Sequence, residues 1–212
     1  MIACFAPGRT MPHGAAADLL RAIDAAAYRS PALAFDAREV RTLLERFPDA
    51  VTVLTVDGAP LAYASAFPIT AAAAARLVRR PVRRDFALPC TSHDAARALL
   101  LMSEVPAEAD LGALDAVAWY FDSVAAAEPR AAGLARGAVL RATAVQFARW
   151  RRRLTIGQLL TMSVTPRGEQ LVRRASLRRF GFEAFEPMWT VLERQCTCWA
   201  SRPVRPPTSL AA

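Results

Sequence analysis

Residues 119–135 read Trp-Tyr-Phe-Asp-Ser-Val-Ala-Ala-Ala-Glu-Pro-Arg-Ala-Ala-Gly-Leu-Ala, a strand, a short loop and the start of a helix. Small residues at Ala131, Ala132, Gly133 and Ala135 leave that helix start bare. Backbone N–H groups with no partner inside the helix then face outward, and the helix dipole adds positive potential. Such a turn holds a phosphate or diphosphate, whereas bulky side chains would keep the anion out. Arg130 and Arg136 add positive charge on either side.

Other chemistries lack the spacing they need. Cys4, Cys90, Cys196 and Cys198 include one close pair, at C-x-C, with no second pair and no nearby His, which argues against zinc. His13 and His93 stand outside any Ser or Cys partner pattern, so a nucleophilic triad is not supported. No Walker-type loop is present for nucleotide hydrolysis.

The elements around the phosphate-binding turn follow from periodicity. Residues 16–28 place Leu19, Leu20, Ile23 and Ala27 at helical spacing, and Asp36-Ala37-Arg38-Glu39 starts a second helix burying Val40, Leu43, Leu44 and Phe47. Residues 51–56 and 61–67 are strand-like runs around Asp57-Gly58-Ala59-Pro60, a hairpin. Residues 70–80 read as helix, 79–84 as a solvated loop, and 91–100 as a short capped helix. A strand over 116–125, a helix over 134–152 and a strand over 158–164 follow. The long helix is expected to bury Gly137, Leu140, Ala144, Phe147 and Leu154. Thr165-Pro166 opens a further helix ending near Gly181, and a last strand covers 188–192. The Pro- and Gly-bearing ends read as flexible tails, 1–15 and 196–212, around one domain, 16–195.

The chain has 212 residues, 54% of them hydrophobic, enough for a substantial core and far from disordered or collagenous composition. No apolar run approaches the roughly 20 residues of a membrane helix. The formal charge of +8 is carried by Arg alone, since the chain has neither Lys nor Asn. With its many alanines this points to the coding bias of a GC-rich bacterial genome more than to a nucleic-acid partner. The N-terminal residues lack a signal-peptide pattern, and a cytoplasmic location with reduced thiols is expected.

Arg130-Ala131-Ala132-Gly133-Leu134-Ala135 after a central strand resembles the cofactor signature of the GCN5-related N-acetyltransferase (GNAT) superfamily. Thr165-Pro166-Arg167-Gly168 followed by Phe180-Gly181-Phe182 is similar to that family's late helix and Gly-Phe end, and Ala66-Phe67-Pro68 after the hairpin is compatible with it. The likeness covers about residues 31–194. It implies a mixed, mostly antiparallel central sheet with flanking helices, and an enzyme that transfers an acetyl group from acetyl-CoA to a small-molecule or peptide amine by direct attack.

The same resemblance implies residue roles. The diphosphate would sit on amides of Arg130, Ala131, Ala132, Gly133, Leu134 and Ala135. The pantetheine arm would enter between the strand carrying Asp122 and the strand over 158–164, where N–H groups near Val124, Ala125 and Ala126 would polarise the thioester carbonyl. A lysine-like amine with a pKa of about 10.4 is only roughly one part in a thousand neutral at pH 7, so a base is needed. Asp122 is the candidate, against the plainer reading that it faces solvent or anchors an Arg. Tyr120, two residues earlier and so on the same face, is the candidate acid for the leaving thiolate, against plain packing. Where relatives carry a Tyr five residues before the late Phe, this chain has Leu177.

That substitution keeps a second class open, a GNAT-like module that binds CoA or a partner protein without turnover. A basic nucleic-acid-binding module is a third. Arg149, Arg151, Arg152 and Arg153 would meet the CoA 3′-phosphate or form a solvated helix end. The acceptor pocket is expected from the hairpin and the 70–108 segment.

Overall fold

Asp57 and Gly58 turn the chain between two strands with positive φ at both, 51° and 82°, the backbone of a two-residue hairpin loop. They join β2 (Val51–Val56) to β3 (Ala59–Ile69). Around this hairpin the computed structural model describes residues 1–27, 36–79, 104–127, 132–163, 165–174, 182–191 and 196–202.

The elements are β1 (Ile2–Phe5), a one-turn α1 (Pro7–Thr10), α2 (His13–Ala27), α3 (Ala37–Arg46), β2, β3 and α4 (Ala71–Val78). After a 3-10 turn at Glu108–Ala113 come β4 (Val117–Ala126), α5 (Ala132–Arg151), β5 (Ile156–Ser163), α6 (Pro166–Arg174), β6 (Phe185–Val191) and β7 (Cys196–Ser201). The strands form one sheet in the order β1-β2-β3-β4-β5-β7-β6. Every neighbouring pair is antiparallel except β4–β5, which is parallel and bridged by α5. This is the mixed, mostly antiparallel α/β sheet with flanking helices that the sequence implies.

Local chemistry sets the helix ends. The Asp36 carboxylate accepts from the amides of Arg38 and Glu39, and Thr70 and Thr165 hydroxyls accept from Ala73 and Gly168. Each satisfies an amide the first turn leaves open.

The boundaries of both expected tails are corrected, while residues 203–212 lie outside the described residues. Ile2–Phe5 pairs with Val53–Val56 as an edge strand, and Gly8 packs so tightly on Pro48 that a Cβ there would lie 2.5 Å from its carbonyl oxygen. Cys196–Ser201 is an interior strand between β5 and β6. The ordered core therefore extends past both boundaries of 16–195.

One face of the sheet is covered by α2, the other by α5. On the α5 face Trp119 meets Phe47 and Phe147 edge-on at 5.8 and 5.3 Å. The buried stripe of α5 is Ala135, Val139, Thr143, Phe147 and Trp150. Of the stripe expected from sequence only Phe147 belongs to it, because alanine and other apolar residues surround this helix and blur its period. Thr143 is tolerated inside because its hydroxyl donates to the Val139 carbonyl. The expected loop at 80–84, helix at 91–100, helix end near Gly181 and residues 164 and 192 lie outside the described residues.

Candidate active site

β4 is bent where it crosses the middle of the sheet. Ser123 faces Ser65 of β3 while Phe121 faces Ala66, so Asp122 is an extra residue inserted into β4. A bulge of this kind bends a strand and increases its twist. Before it, Phe121 packs toward Phe147 of α5; after it, Ser123 reaches Tyr63 on the α2 face. The alternation of β4 therefore shifts at Asp122.

The same point ends the contact with β5. Among the described residues the parallel ladder runs from Val117–Ile156 to Phe121–Thr161 and stops there. Beyond it, Ser123 to Ala126 pair with β3 alone, and Met162 and Ser163 pair with β7 alone. Two local causes part the strands. The bulge turns β4 away, and β5 is held to β7 by Trp199 Nε1, which donates to Ser163 Oγ at 2.8 Å. Thr161 Oγ1 donates to the Phe121 carbonyl at 2.8 Å, at the apex of the wedge.

The N-terminus of α5 lies against the open end of β4. Ala135 in its first turn shares a buried apolar cluster with Ala126, Ala64, Ala62, Leu54 and Val139, and Val124 packs on it. Gly133 and Leu134 are exposed, and a Cβ built on Gly133 meets nothing within 4 Å. A small-residue helix start thus stands open beside an unzipped strand edge. Val124, Ala125 and Ala126 lie on that edge and Ala132 to Ala135 on the helix turn; Arg130 and Ala131 lie outside the described residues.

Of the two proposed acid–base residues, Asp122 sits half-buried in the bulge. Tyr120 is buried one step before the wedge apex, its ring 5.7 Å from that of Phe67. The Arg cluster lies elsewhere. Arg151 ends a 20-residue helix, so it stands about 28 Å along the axis from the α5 N-terminus. There Arg151 covers the Phe182 ring and Arg153 the Trp150 ring, the solvated-end reading rather than the phosphate one.

Sequence reasoning missed a polar chain on the α2 face. The Tyr63 hydroxyl donates to Asp24 Oδ1 at 2.6 Å and lies 3.2 Å from Ser123 Oγ. Asp24 and Tyr63 are both 0% exposed. Asp24 had a signal in the sequence, as a carboxylate four residues after Leu20 on the apolar stripe of α2, where charged residues rarely sit without a partner.

No family model matches the chain, and no curated protein matches it by sequence. Solved structures do. The loading GNATL domain of CurA from Lyngbya majuscula is similar with a TM-score of 0.55 at 12% identity, over 96% of this chain and 98% of that one. The chain has the GNAT fold. A mosquito arylalkylamine N-acetyltransferase like 5b gives 0.50 at 10% identity, over 96% and 100%. The GphF GNAT-like decarboxylase in complex with isobutyryl-CoA gives 0.51 at 14%, over 95% and 98%. No helix among the described residues is long and apolar enough to cross a membrane, and none of them group as metal ligands.

Proposed function

We propose that the chain is an acyl-CoA-dependent N-acyltransferase, with acetyl-CoA as donor and an amine as acceptor. The observation that carries this is the wedge between β4 and β5. A strand edge freed from its neighbour inside a sheet offers unpaired backbone N–H and C=O groups, which an amide-bearing arm satisfies by lying in as a short surrogate strand. GphF was solved with isobutyryl-CoA, which supports a coenzyme A ester as the class of donor.

The residues fit such a ligand. Amides of Ala132 to Ala135 at the open start of α5 would hold the diphosphate, joined by Arg130 and Ala131. Val124, Ala125 and Ala126 would present backbone N–H groups to the acyl carbonyl, where donors fixed in place are worth most as charge develops. The bound donor supplies an acyl group activated as a thioester. Asp122, in the bulge at the wedge apex, would take a proton from the acceptor. Tyr120 is the proposed acid for the thiol end. Leu177 means that no Tyr is available at the position relatives use for this step.

The test is calorimetry with acetyl-CoA on the wild type and Gly133→Glu, beside thiol release over an amine panel. The open space around Gly133 lets the fold accept the larger residue, so Gly133→Glu should melt like the wild type yet lose acetyl-CoA binding. Wild-type binding unchanged by the substitution would overturn the site. Tight binding with no turnover on any amine would support the module that binds without catalysis.

A further inference from the structure

The side of α5 turned away from the sheet is not the polar face that a surface helix normally shows to water. Among the described residues six large apolar side chains are exposed, and two of them, Leu134 at 85% and Val145 at 57%, lie on this helix. The outward positions have a period. Leu134, Ala138, Arg141, Val145, Ala148 and Arg152 are spaced 4, 3, 4, 3 and 4 residues apart, the seam of a helix that packs along another helix. Ala138 is half-buried at the edge of the seam and the other five are exposed. Arg152, one residue past the helix, continues its last turn through an amide bond to the Arg149 carbonyl at 3.3 Å.

At 1.5 Å per residue the seam is about 27 Å long. Alanine at 138 and 148 lets a second helix axis come close, and the apolar stems of the two arginines can pack while their heads stay wet. Charge decides what lies there. No Asp or Glu occurs between Glu128 and Glu169, and neither Arg141 nor Arg152 has an ion-pair partner among the described residues. A second copy of the chain would put four arginines and no carboxylate into one contact, which like-charge repulsion opposes. An interfacial helix meets a bilayer with bulky Leu, Phe or Trp, whereas Phe147 and Trp150 of α5 are buried on its inner side.

We propose that the outward face of α5 is a docking surface for an acidic amphipathic helix of a partner protein. That helix sets apolar side chains against Leu134 and Val145, and Asp or Glu against Arg141 and Arg152. The arginines select the partner by charge and the apolar positions fix its register. A contact one helix wide is small, so the complex is a transient one. Arg141, Val145, Ala148 and Arg152 have no part in the proposed acyl transfer, and the surface stands whether or not the chain turns over an amine.

The probe is a synthetic peptide of about three heptads, with Leu and Glu alternating along its seam and Ala and Gln elsewhere. A counterpart carries Lys at every Glu. Binding of each to the full chain is followed by fluorescence anisotropy, with sedimentation of the chain alone and thermal melts as a check on folding. The Glu peptide should bind at least about tenfold more tightly than the Lys peptide, and should weaken as salt rises from about 50 to 500 mM. Arg141→Glu combined with Arg152→Glu should melt like the wild type and exchange the preference, losing the Glu peptide and gaining the Lys one. Val145→Ser, which leaves every charge in place, should weaken the Glu peptide at least about fivefold without reversing the preference. Failure of both peptides to bind, equal binding of both, or a preference that survives the charge exchange would overturn the proposal. So would self-association of the wild type that Val145→Ser abolishes, or tighter binding to phosphatidylglycerol vesicles or a DNA duplex than to the Glu peptide.

Discussion

The Thr161 hydroxyl is bonded to the backbone carbonyl of Phe121 at 2.8 Å, in the last pair that joins β4 to β5. One side chain thus closes the ladder at the point where the two strands separate. Thr161→Val keeps the shape and drops the hydroxyl. The expected cost is about 1 kcal/mol in urea unfolding, with weaker acetyl-CoA binding because the wedge apex loosens. Unchanged affinity beside the lost stability would show that strand parting does not depend on this tie.

Asp122→Asn should separate chemistry from binding. The amide keeps the size of the carboxylate in the bulge but accepts a proton poorly. Turnover on an amine should fall at least about tenfold while the acetyl-CoA dissociation constant stays within about twofold. Equal turnover across the pH range would remove Asp122 as the base.

Gly8→Ala tests the corrected N-terminus. Its Cβ would sit 2.5 Å from the Pro48 carbonyl oxygen, a backbone atom that cannot swing aside. Overpacking of this kind typically costs about 1–3 kcal/mol, and the thermal midpoint should drop accordingly. A neutral substitution would mean that the first ten residues contribute nothing to the fold.

Acid sensitivity should trace to Asp49. Its burial pushes the carboxyl upward, but the hydrogen bond and charge of Arg9, joined by Trp150 Nε1 and Gln146, outweigh this and hold it below the usual range. A group whose folded pKa is depressed contributes its stability above the unfolded value, about 3.9, and loses it as pH falls through the lower folded value. Urea midpoints should therefore decline from about pH 5 downward, and Asp49→Asn should flatten that part of the slope. An identical slope in the variant would assign acid lability elsewhere.

Features set by neighbouring residues were legible in the sequence. Asp36 as a cap, Asp57-Gly58 as a turn and Pro166 at a helix start each act within four residues of themselves. Features set by distant partners were not. Cys196–Ser201 carries no alternation that marks a strand; it becomes one because Leu160 to Ser163 and β6 offer it two edges. The bulge at Asp122 is invisible without β3 beside it, so the shift that brings Ser123 rather than another residue to Tyr63 was unreadable. Asp24 shows the middle case, a carboxylate on an apolar stripe whose partner lies 39 residues away.

The interior place of β7 has a consequence for synthesis. Because, among the described residues, β6 reaches the rest of the sheet through β7 alone, this end of the sheet is completed after Ser201 has cleared the ribosome. A nascent chain would carry a raw β5 flank until then. Aggregation during translation should therefore peak in the interval between emergence of Ser163 and emergence of Ser201.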